Sequence, residues 1–563
     1  MSELITAETE TTAVESPPQE LAGTAPAPPP RIGRFEYRWV ALAVVLSGTI
    51  MTILDATIVN IAVPTLQHDF HAGSYTDIAW VVTGYLLAQG AVIPATGWAT
   101  DRFGTKRLYL ITMVLFTLAS AACGLAQTLP ELIFFRVLQG IGGGMLMPIG
   151  MTIILQAVGP GSMGKVMGIF GVPMLIAPAL GPVLGGWFIQ DFSWRLIFYV
   201  NVPIGIIGFL AASRFLIESG RSHKLRLDYI GLLTATPAVL ALMYAVDRSN
   251  ELGWGSPLVV GLIALSIVLS VAFVLRQRRA EEPLLHLELF RDSTFSWAMV
   301  LSFLIVTSLF GAMLLLPLYL QQVHGYDAIT TGLLLLPQGA TAAISMPVGG
   351  FLTDRYGPRP VVSTGLVLLT IAGIMLAQIH TDSSMTFIVG ALALRGFAMG
   401  FAMMPTMSAA LARVPRQFTS RASSITNTLQ RVGSSIGIAI LVTVLSAQFS
   451  TAATQTPCSP SEEVLRSAPA YAASGTPRGE GPVSAGALCA ALERRMASRP
   501  DQRSAESSQS SGDRTFDSFA GELGRSTTTR SFDRTFAFIA ILSALGLVPA
   551  WFLRKPERAA ASG

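Results

Sequence analysis

The sequence GWATDRFGTKR at residues 97–107 recurs later in the chain as GFLTDRYGPRP at residues 350–360. Both copies have a glycine, an aspartate four residues on, and then an arginine, an aromatic residue and a glycine. Two downstream segments also match, since RVLQGIGGGMLMP from Arg136 and RGFAMGFAMMP from Arg395 each place an arginine before a Gly/Met run and a proline. A parallel repeat of this kind predicts a transporter with two related halves.

The composition places these halves in a membrane. The 563 residues are 51% hydrophobic and 13% charged, with a mean hydropathy of +0.55, whereas a soluble domain carries about 25% charge. Runs of about 20 apolar residues are long enough to cross a hydrocarbon core of about 30 Å. We therefore predict an all-α polytopic fold with fourteen transmembrane helices, at residues 40–62, 78–98, 108–127, 132–155, 166–188, 196–217, 229–247, 257–275, 296–320, 329–352, 361–379, 386–411, 424–446 and 535–553.

The repeat relates spans 1–6 to spans 9–14 and leaves spans 7 and 8 as an inserted central pair. The predicted domains are a disordered cytoplasmic tail, a six-helix half, the two inserted helices, five helices of the second half, a long extracytoplasmic and mostly disordered loop, and the last helix with its tail. Their boundaries are 1–38, 39–217, 218–294, 295–446, 447–532 and 533–563.

Lys and Arg residues predict the orientation, because cytoplasmic loops are enriched in them. The short outside loops would hold only Arg195 and Arg248. This asymmetry predicts a multi-pass protein of the plasma or inner membrane, held in its lipid bilayer, with both termini cytoplasmic. No basic stripe with interleaved aromatic residues is present, so we expect no nucleic-acid partner. The inside loops and the C-terminal tail would hold Arg102, Lys106, Arg107, Lys165, Arg221, Lys224, Arg226, Arg276, Arg278, Arg279, Arg355, Arg359, Arg413, Arg416, Arg421, Arg554 and Lys555.

The first span carries an aspartate, Asp55, within TILDATIVNIAVP at residues 52–64. A carboxylate at this depth costs roughly 2.5–3.5 kcal/mol on insertion scales, which indicates a function or a buried partner. Asp55 shares a helical face with small and polar residues, so this face should line the protein interior. The alternative is a structural hydrogen bond between two helices. On these spans we predict three cavity-lining residues, namely Thr52, Asn60 and Gln139.

Six motifs in order resemble the major facilitator superfamily, specifically its fourteen-span drug:proton antiporters of the EmrB/QacA type. They are LDATIVNIAVP, GWATDRFGTKR, LIFFRVLQGIGGG, GPVLGG, WRLIFYVNVPIG and LPLYLQQVHGYDAITTGLLLLP. The resemblance covers nearly all of residues 40–446 and the last span. It implies proton-coupled export of lipophilic or cationic small molecules by alternating access, in a monomer.

The resemblance also implies residue roles. Asp55 and Arg136 would couple proton transfer to export. The alternative for Arg136 is a purely structural role, with hydrogen bonds to carbonyl groups of an opposite helix. A conformational latch would use Gly97, Asp101, Arg102, Gly104, Asp354 and Arg355. A helix-packing segment called the antiporter motif would use Gly181, Pro182, Gly185 and Gly186. Ala99, Thr105 and Ala177 depart from the usual residues of these motifs. The alternative for the latch is a solvated charge run, and the alternative for the antiporter motif is generic close packing.

The chain also contains a partial phosphate-binding motif, GPGSMGKV from Gly159. Val166 lacks the hydroxyl group that would hold Mg²⁺, and no strand precedes the motif. Metal-ligand Cys/His spacings are absent from the sequence. We therefore expect no enzyme activity, no metal and no cofactor.

Two rival functions stay open. One keeps the fold and exports a single secondary metabolite, antibiotic or lipid, and the other is a transport-dead sensor or scaffold that signals through the long loop. That loop contains Cys458 and Cys489. The two cysteines could form a disulfide in an oxidising compartment or remain two unpaired thiols.

Overall fold

The computed structural model describes residues 31–32, 35–71, 75–158, 162–218, 225–326, 328–379, 383–455 and 514–554. A two-residue antiparallel pair, β1 (Arg31–Ile32) and β2 (Phe35–Glu36), precedes the helices. The helices are α1 Tyr37–Asp69, α2 Tyr75–Phe103, α3 Thr105–Leu125, α4 Leu129–Ala157, α5 Met163–Asp191, α6 Leu196–Tyr199, α7 Asn201–Phe215, α8 Tyr229–Leu252, α9 Pro257–Gln277, α10 Ser293–Gln322, α11 Ala328–Tyr356, α12 Pro358–Leu376, α13 Met385–Leu411, α14 Thr419–Gln455, α15 Arg514–Leu545 and α16 Leu547–Trp551. Short 3₁₀ turns precede α10 and α14, at Leu287–Arg291 and Arg416–Phe418.

Within these ranges fourteen helices are long and apolar enough to cross a membrane. The predicted all-α fold with fourteen membrane-spanning helices is confirmed. Two of the spans are interrupted, one between α6 and α7 and the other between α15 and α16. In both cases a proline, Pro203 or Pro549, stands four residues after the last residue of the first helix, where its ring conflicts with the carbonyl group of that residue.

The helices around the long loop extend beyond the predicted spans. α14 continues to Gln455 rather than ending at 446, and α15 begins at Arg514 rather than at 535. The prediction counted apolar residues, whereas polar residues continue a helix once it leaves the hydrocarbon core. Residues 456–513, with Cys458 and Cys489, lie outside the described part, and so do residues 1–30 of the predicted tail.

The helices form two halves with an inserted pair. In the N-terminal half, α1 packs on α4, α5 and α7, while α2 and α3 pack on α4. In the C-terminal half, α10 packs on α14, α13 packs on α11 and α12, and α15 packs on α12 and α14. The two halves meet mainly through α5 with α11 and through α2 with α14. Helices α8 and α9 pack on each other, and α8 lies against α2 and α14.

The end of the bundle that carries residues 97–107 and 350–360 is called the motif end below. α1 and α10 both begin at this end, and the central cavity lies further along the bundle between the halves.

Candidate proton and substrate sites

Asp55 lies inside the N-terminal half and is fully buried. One carboxylate oxygen, Oδ2, accepts a hydrogen bond from Arg136 Nη1 at 2.7 Å. The other, Oδ1, accepts from Gln139 Nε2 at 2.8 Å and from Asn201 Nδ2 at 2.9 Å. Arg136 and Gln139 stand one turn apart on α4, so that both side chains reach α1. The charge of Asp55 is therefore matched by an arginine and two amide donors.

Arg136 is held on several sides. Its Nε donates to the carbonyl oxygen of Val81 at 3.0 Å, and its Nη1 also donates to Gln139 Oε1 at 2.8 Å. Its guanidinium stacks on the ring of Tyr85, with 3.9 Å between Cζ and the ring centroid, a favourable arrangement for arginine. The carbonyl contact and the carboxylate contact, which the sequence left as alternatives, occur together.

Asn201 on α7 was not among the sequence candidates. Besides Asp55, its Nδ2 contacts Ser120 Oγ at 3.1 Å, and Ser120 Oγ donates to the carbonyl oxygen of Phe198 at 2.9 Å. The amide oxygen of Asn201 is buried with no hydrogen-bond partner among the described residues. The signal was available, because Asn201 is a polar residue within an apolar run, like Asp55.

A cavity of about 360 Å³ lies between the two halves. The predicted Thr52 and Asn60 line it, whereas Gln139 does not and instead binds Asp55. Asp55 itself is not part of the cavity wall, because its side chain points into the N-terminal half. The candidate proton site and the cavity are therefore separate, on different faces of α1.

The cavity wall combines apolar side chains with one polar strip. Ile53, Met174 and Phe310 contribute to the apolar part. The strip lies on α14, where the residues at i, i+3, i+4 and i+7 face the cavity. Among the described lining residues Arg431 alone is charged, and none is Asp or Glu. The strip, which the sequence analysis missed, consists of Asn427, Gln430, Arg431 and Ser434.

At the motif end, Asp101 on α2 contacts the start of α14. Its carboxylate accepts hydrogen bonds from Ser420 Oγ and from Arg421 Nε, the latter at 3.2 Å. Gly97 allows this approach, since a Cβ there would lie 3.2 Å from the Cα of Arg421. The ion pair joins the two halves.

Asp354 makes the repeat-related contact between α11 and the start of α5. Its carboxylate accepts from the backbone N–H groups of Gly164 at 2.8 Å and Lys165 at 3.0 Å. Gly164 and Gly350 bring the two backbones together, because a Cβ on either would collide with the other's carbonyl group. Each repeated aspartate thus sits at a helix N-terminus of the opposite half, where negative charge is favoured.

The remaining latch candidates have local roles. Gly104 and Gly357 both have φ of +92°, a conformation that glycine adopts at low cost, and each precedes the next helix. The guanidinium of Arg355 lies 5.4 Å from the ring centroid of Tyr356. Arg102 is half-buried, and its Nη1 has no hydrogen-bond partner among the described residues.

The family model for the Major Facilitator Superfamily matches residues 45–438. The chain belongs to this superfamily. It is 36% identical over 455 residues to the "Multidrug resistance protein B homolog" of Mycobacterium tuberculosis, covering 77% of this chain and 83% of that protein. It is 30% identical over 412 residues to the "Tetracenomycin C resistance and export protein" of Streptomyces glaucescens, covering 73% and 76%.

A solved structure of the superfamily shows the same fold. The crystal structure of a double Trp mutant of XylE matches with a TM-score of 0.58 at 12% identity, covering 92% of this chain and 97% of that one. These relatives and the fourteen helices confirm the resemblance to the fourteen-span drug exporters of the superfamily. This chain is therefore a multi-pass membrane transporter.

In this superfamily member, two glycines of the predicted antiporter motif bring α5 close to α1. A Cβ on Gly185 would lie 2.9 Å from Ile58 Cγ1, and one on Gly181 would collide with Thr57. Gly186 is not a close-packing position, because a Cβ there meets no atom within 4 Å. Pro182 lies within α5.

Two backbone N–H groups of the partial phosphate-binding motif form hydrogen bonds within the protein. The backbone donors of Gly164 and Lys165 point at Asp354, which occupies the place that a phosphate would need. Within the described ranges, no three His, Cys, Asp or Glu side chains are grouped closely enough to hold a metal ion.

Proposed function

We propose that this transporter exports lipophilic compounds in exchange for protons, with Asp55 as the group that binds the proton. The observation that carries the proposal is the buried carboxylate of Asp55, held by Arg136, Gln139 and Asn201. A buried ion pair is weak support for stability, because desolvation of the two charges offsets much of their attraction. An ionisable group inside a membrane bundle instead indicates a site on an ion or substrate pathway.

Protonation of Asp55 would rearrange this site. The charged carboxylate accepts from three side chains, whereas the neutral acid needs an acceptor for its own O–H group. Asn201 can supply one by rotating its amide, because its oxygen is unpartnered and the two ends of an amide are similar in shape. Protonation would also leave Arg136 without its counter-ion. Protonation of Asp55 would thus change which helices are joined by hydrogen bonds at this site.

Alternating access would use the contacts between the halves. In the structure both Asp101 and Asp354 join the halves at the motif end. With the motif end at the cytoplasm, as the Lys/Arg distribution predicts, this conformation is closed toward the cytoplasm. Export then requires these contacts to break so that the cavity can take up its cargo from the cytoplasm or the inner leaflet.

The cavity and the relatives support a lipophilic cargo. Its wall is largely apolar, as expected for a pocket that binds drug-sized molecules. The expectation of a cationic cargo has no support in the wall, since no described lining residue is a carboxylate. Export of one dedicated compound remains the second candidate, because the Streptomyces glaucescens relative is named for a single compound.

Proteoliposomes with an imposed pH gradient test the proposal. We expect the wild-type protein to accumulate a lipophilic dye against its gradient. Asp55→Asn keeps the shape and fixes the charge at zero, so it should still allow downhill flux but lose uphill accumulation. Asp55→Glu should keep part of the coupling.

Asp69→Asn is the matched control, because Asp69 lies on the same helix but accepts a hydrogen bond from Trp194 away from the pair. It should behave like the wild type. Near-normal uphill accumulation by Asp55→Asn would show that Asp55 is only a structural hydrogen bonder. A wild-type protein that moves no dye of a broad panel would favour the sensor or scaffold.

A further inference from the structure

Arg431 is a charged side chain in the wall of the central cavity. It lies on α14 within the membrane span and faces the cavity beside Gln430 and Ser434. No described residue forms a hydrogen bond or an ion pair with its guanidinium group.

A second arginine lies directly behind the same wall. Arg395 is 1% exposed, and its Nη2 donates to the carbonyl oxygen of Ser308 at 3.0 Å. Its Nη1 lies 3.5 Å from Oε1 of Gln338, which lines the cavity. Neither contact brings a counter-charge, and no described carboxylate pairs with Arg395. The C-terminal half therefore presents two uncompensated positive charges toward the cavity.

The N-terminal half is different. Arg136 occupies the repeat-related position on α4, but Asp55 neutralises it. No described Lys, Arg, Asp or Glu of this half lines the cavity. Among the residues that the structure describes, the positive charge of the cavity therefore has no counter-ion on either side.

A charge at this depth is costly unless it is paired. The described residues supply no permanent counter-ion for Arg431. The negative group that offsets the cost of its buried charge is therefore one that enters and leaves with the cargo. Guanidinium groups bind carboxylates and sulfonates through two parallel hydrogen bonds. Gln430 also lines the cavity, and its Nε2, which donates to Met407 Sδ at 3.7 Å, has a second N–H for the same group. Ile53, Met174 and Phe310 would contact an apolar body.

We infer that the cargo is an amphipathic organic anion whose acidic group binds Arg431, with Arg395 adding to the positive potential. This inference rests on the proposed function for the direction of transport, and it replaces the cationic cargo class with an anionic one. It also sets the charge moved per cycle. Exchange of one proton inward for one monovalent anion outward moves two charges, whereas exchange for a monovalent cation moves none.

Equilibrium binding to the purified full-length protein tests the charge preference. Two dyes with the same three-ring core serve as probes, fluorescein as the anion and a rhodamine ester as the cation. We expect the wild type to bind fluorescein more tightly. Arg431→Gln should weaken fluorescein binding by about 10- to 100-fold, the loss of about 1.4–2.8 kcal/mol expected for hydrogen bonds to a charged group, and should not weaken rhodamine binding.

Arg431→Lys keeps the charge and should retain part of the fluorescein affinity. Arg413→Gln is the matched control, since Arg413 pairs with Asp292 outside the cavity and its loss should leave both affinities unchanged. Tighter binding of the rhodamine ester by the wild type would overturn the inference. So would equal fluorescein binding by the wild type and a folded Arg431→Gln variant. If the Gln variant does not fold, the wild-type comparison of the dyes and the Lys variant still decide.

Transport in proteoliposomes separates this inference from the proposed function. With a pH gradient, fluorescein export should accelerate when a valinomycin-set potassium potential adds to the driving force. If the rhodamine ester is transported uphill and fluorescein is not, proton-driven export is supported and the anionic cargo is refuted. If neither dye moves uphill, proton-driven export fails, and the binding measurements decide the charge preference alone.

Discussion

Replacing Asp101 with asparagine removes the charge from one of the two contacts that join the halves at the motif end. The carboxylate of Asp101 accepts from Ser420 Oγ and, at 3.2 Å, from Nε of Arg421. Both side chains are largely shielded, with Asp101 18% and Arg421 6% exposed. Asparagine keeps the size of the side chain and an acceptor for Ser420, so the change isolates the ion pair.

The free energy lost with this ion pair depends on the other contacts of Arg421. A hydrogen bond to a charged group contributes about 1.5–3 kcal/mol. Arg421 retains contacts to the carbonyl oxygen of Pro283 and to His286 Nε2, so its guanidinium is not left unsatisfied. The loss should therefore lie near the lower limit, about 1.5 kcal/mol, which is about a tenfold shift from the closed to the open motif end.

Distances between spin labels measure this shift. Labels at Arg107 on α3 and Thr364 on α12, both exposed and in opposite halves near the motif end, report its opening after the three native cysteines are replaced. Asp101→Asn should raise the ratio of long to short distances about tenfold. If the contact at Asp354 is independent, the double variant with Asp354→Asn should raise this ratio by the product of the two single-variant effects, because the free energies of distant sites add.

Asp292→Asn is the control for this experiment. Asp292 forms a comparable ion pair with Arg413 at 2.9 Å, but both residues belong to the C-terminal half. Its distance distribution should match the wild type. If Asp101→Asn also matches the wild type, the ion pair does not hold the two halves together.

Three further expectations concern other contacts. Gly164→Val places a side chain against the carbonyl group of Gly350 and should shift the spin-label distances toward the open motif end. Burial and the positive charge of Arg421 lower the pKa of His286 below its ordinary value of 6.5, against a weaker opposing effect of Glu288. The closed motif end should therefore lose stability as the pH falls below about 6.5 and through that lowered pKa. His286→Gln should remove this pH dependence of the spin-label distances. Asn201→Ala removes one hydrogen-bond donor from the buried carboxylate of Asp55 and should reduce proton-driven accumulation of the dye in proteoliposomes about tenfold or more.

Each of these variants has a matched control. Gly186→Val adds the same side chain to α5 where nothing lies within 4 Å, so the motif end should stay closed. His324→Gln removes a histidine whose pKa is also lowered by burial but which follows the C-terminal end of α10, the end opposite the motif end. Gln277→Ala removes an amide that donates to another buried carboxylate, that of Asp228 at 2.9 Å, away from the cavity. Equal effects of variant and control would contradict the corresponding expectation.

Sequence patterns were sufficient for the architecture and for part of the site. Long apolar runs identify membrane spans because the hydrocarbon core admits few alternatives to a helix, and the repeat relates Asp101 to Asp354. A residue that is unusual in its segment, such as Asp55, is also visible in the sequence. The partners of Asp354 are backbone N–H groups, which carry no sequence signal, so only the structure could identify them.

Other parts of the site depended on which helix faces meet. Asn201 is a polar residue in an apolar run, whereas Arg431 lies in a mixed segment, ITNTLQRVGSSIG at residues 425–437. The roles of both follow from α7 facing α1 and from α14 facing the cavity. Gln139 was predicted to line the cavity, yet it lies on the face of α4 that carries Arg136 and binds Asp55. Gly186 belongs to a small-residue motif but lies on a face with no neighbour.

The repeat places one arginine at a corresponding position in each half, and the difference between their partners connects the two proposed sites. Arg136 faces a carboxylate on α1, whereas Arg395 faces the backbone of Ser308 on α10. If Asp55 binds the proton as proposed, protonation changes the charge of this pair, while Arg395 stays positive. Tyr85 connects the pair to the cavity, since its ring stacks on Arg136 and its hydroxyl group donates at 3.5 Å to the carbonyl oxygen of Thr52, a cavity-lining residue. Under the proposal, protonation of Asp55 leaves Arg136 without its counter-ion on one side of α1, so an anionic cargo in the cavity would be attracted by Arg136 as well as by Arg431.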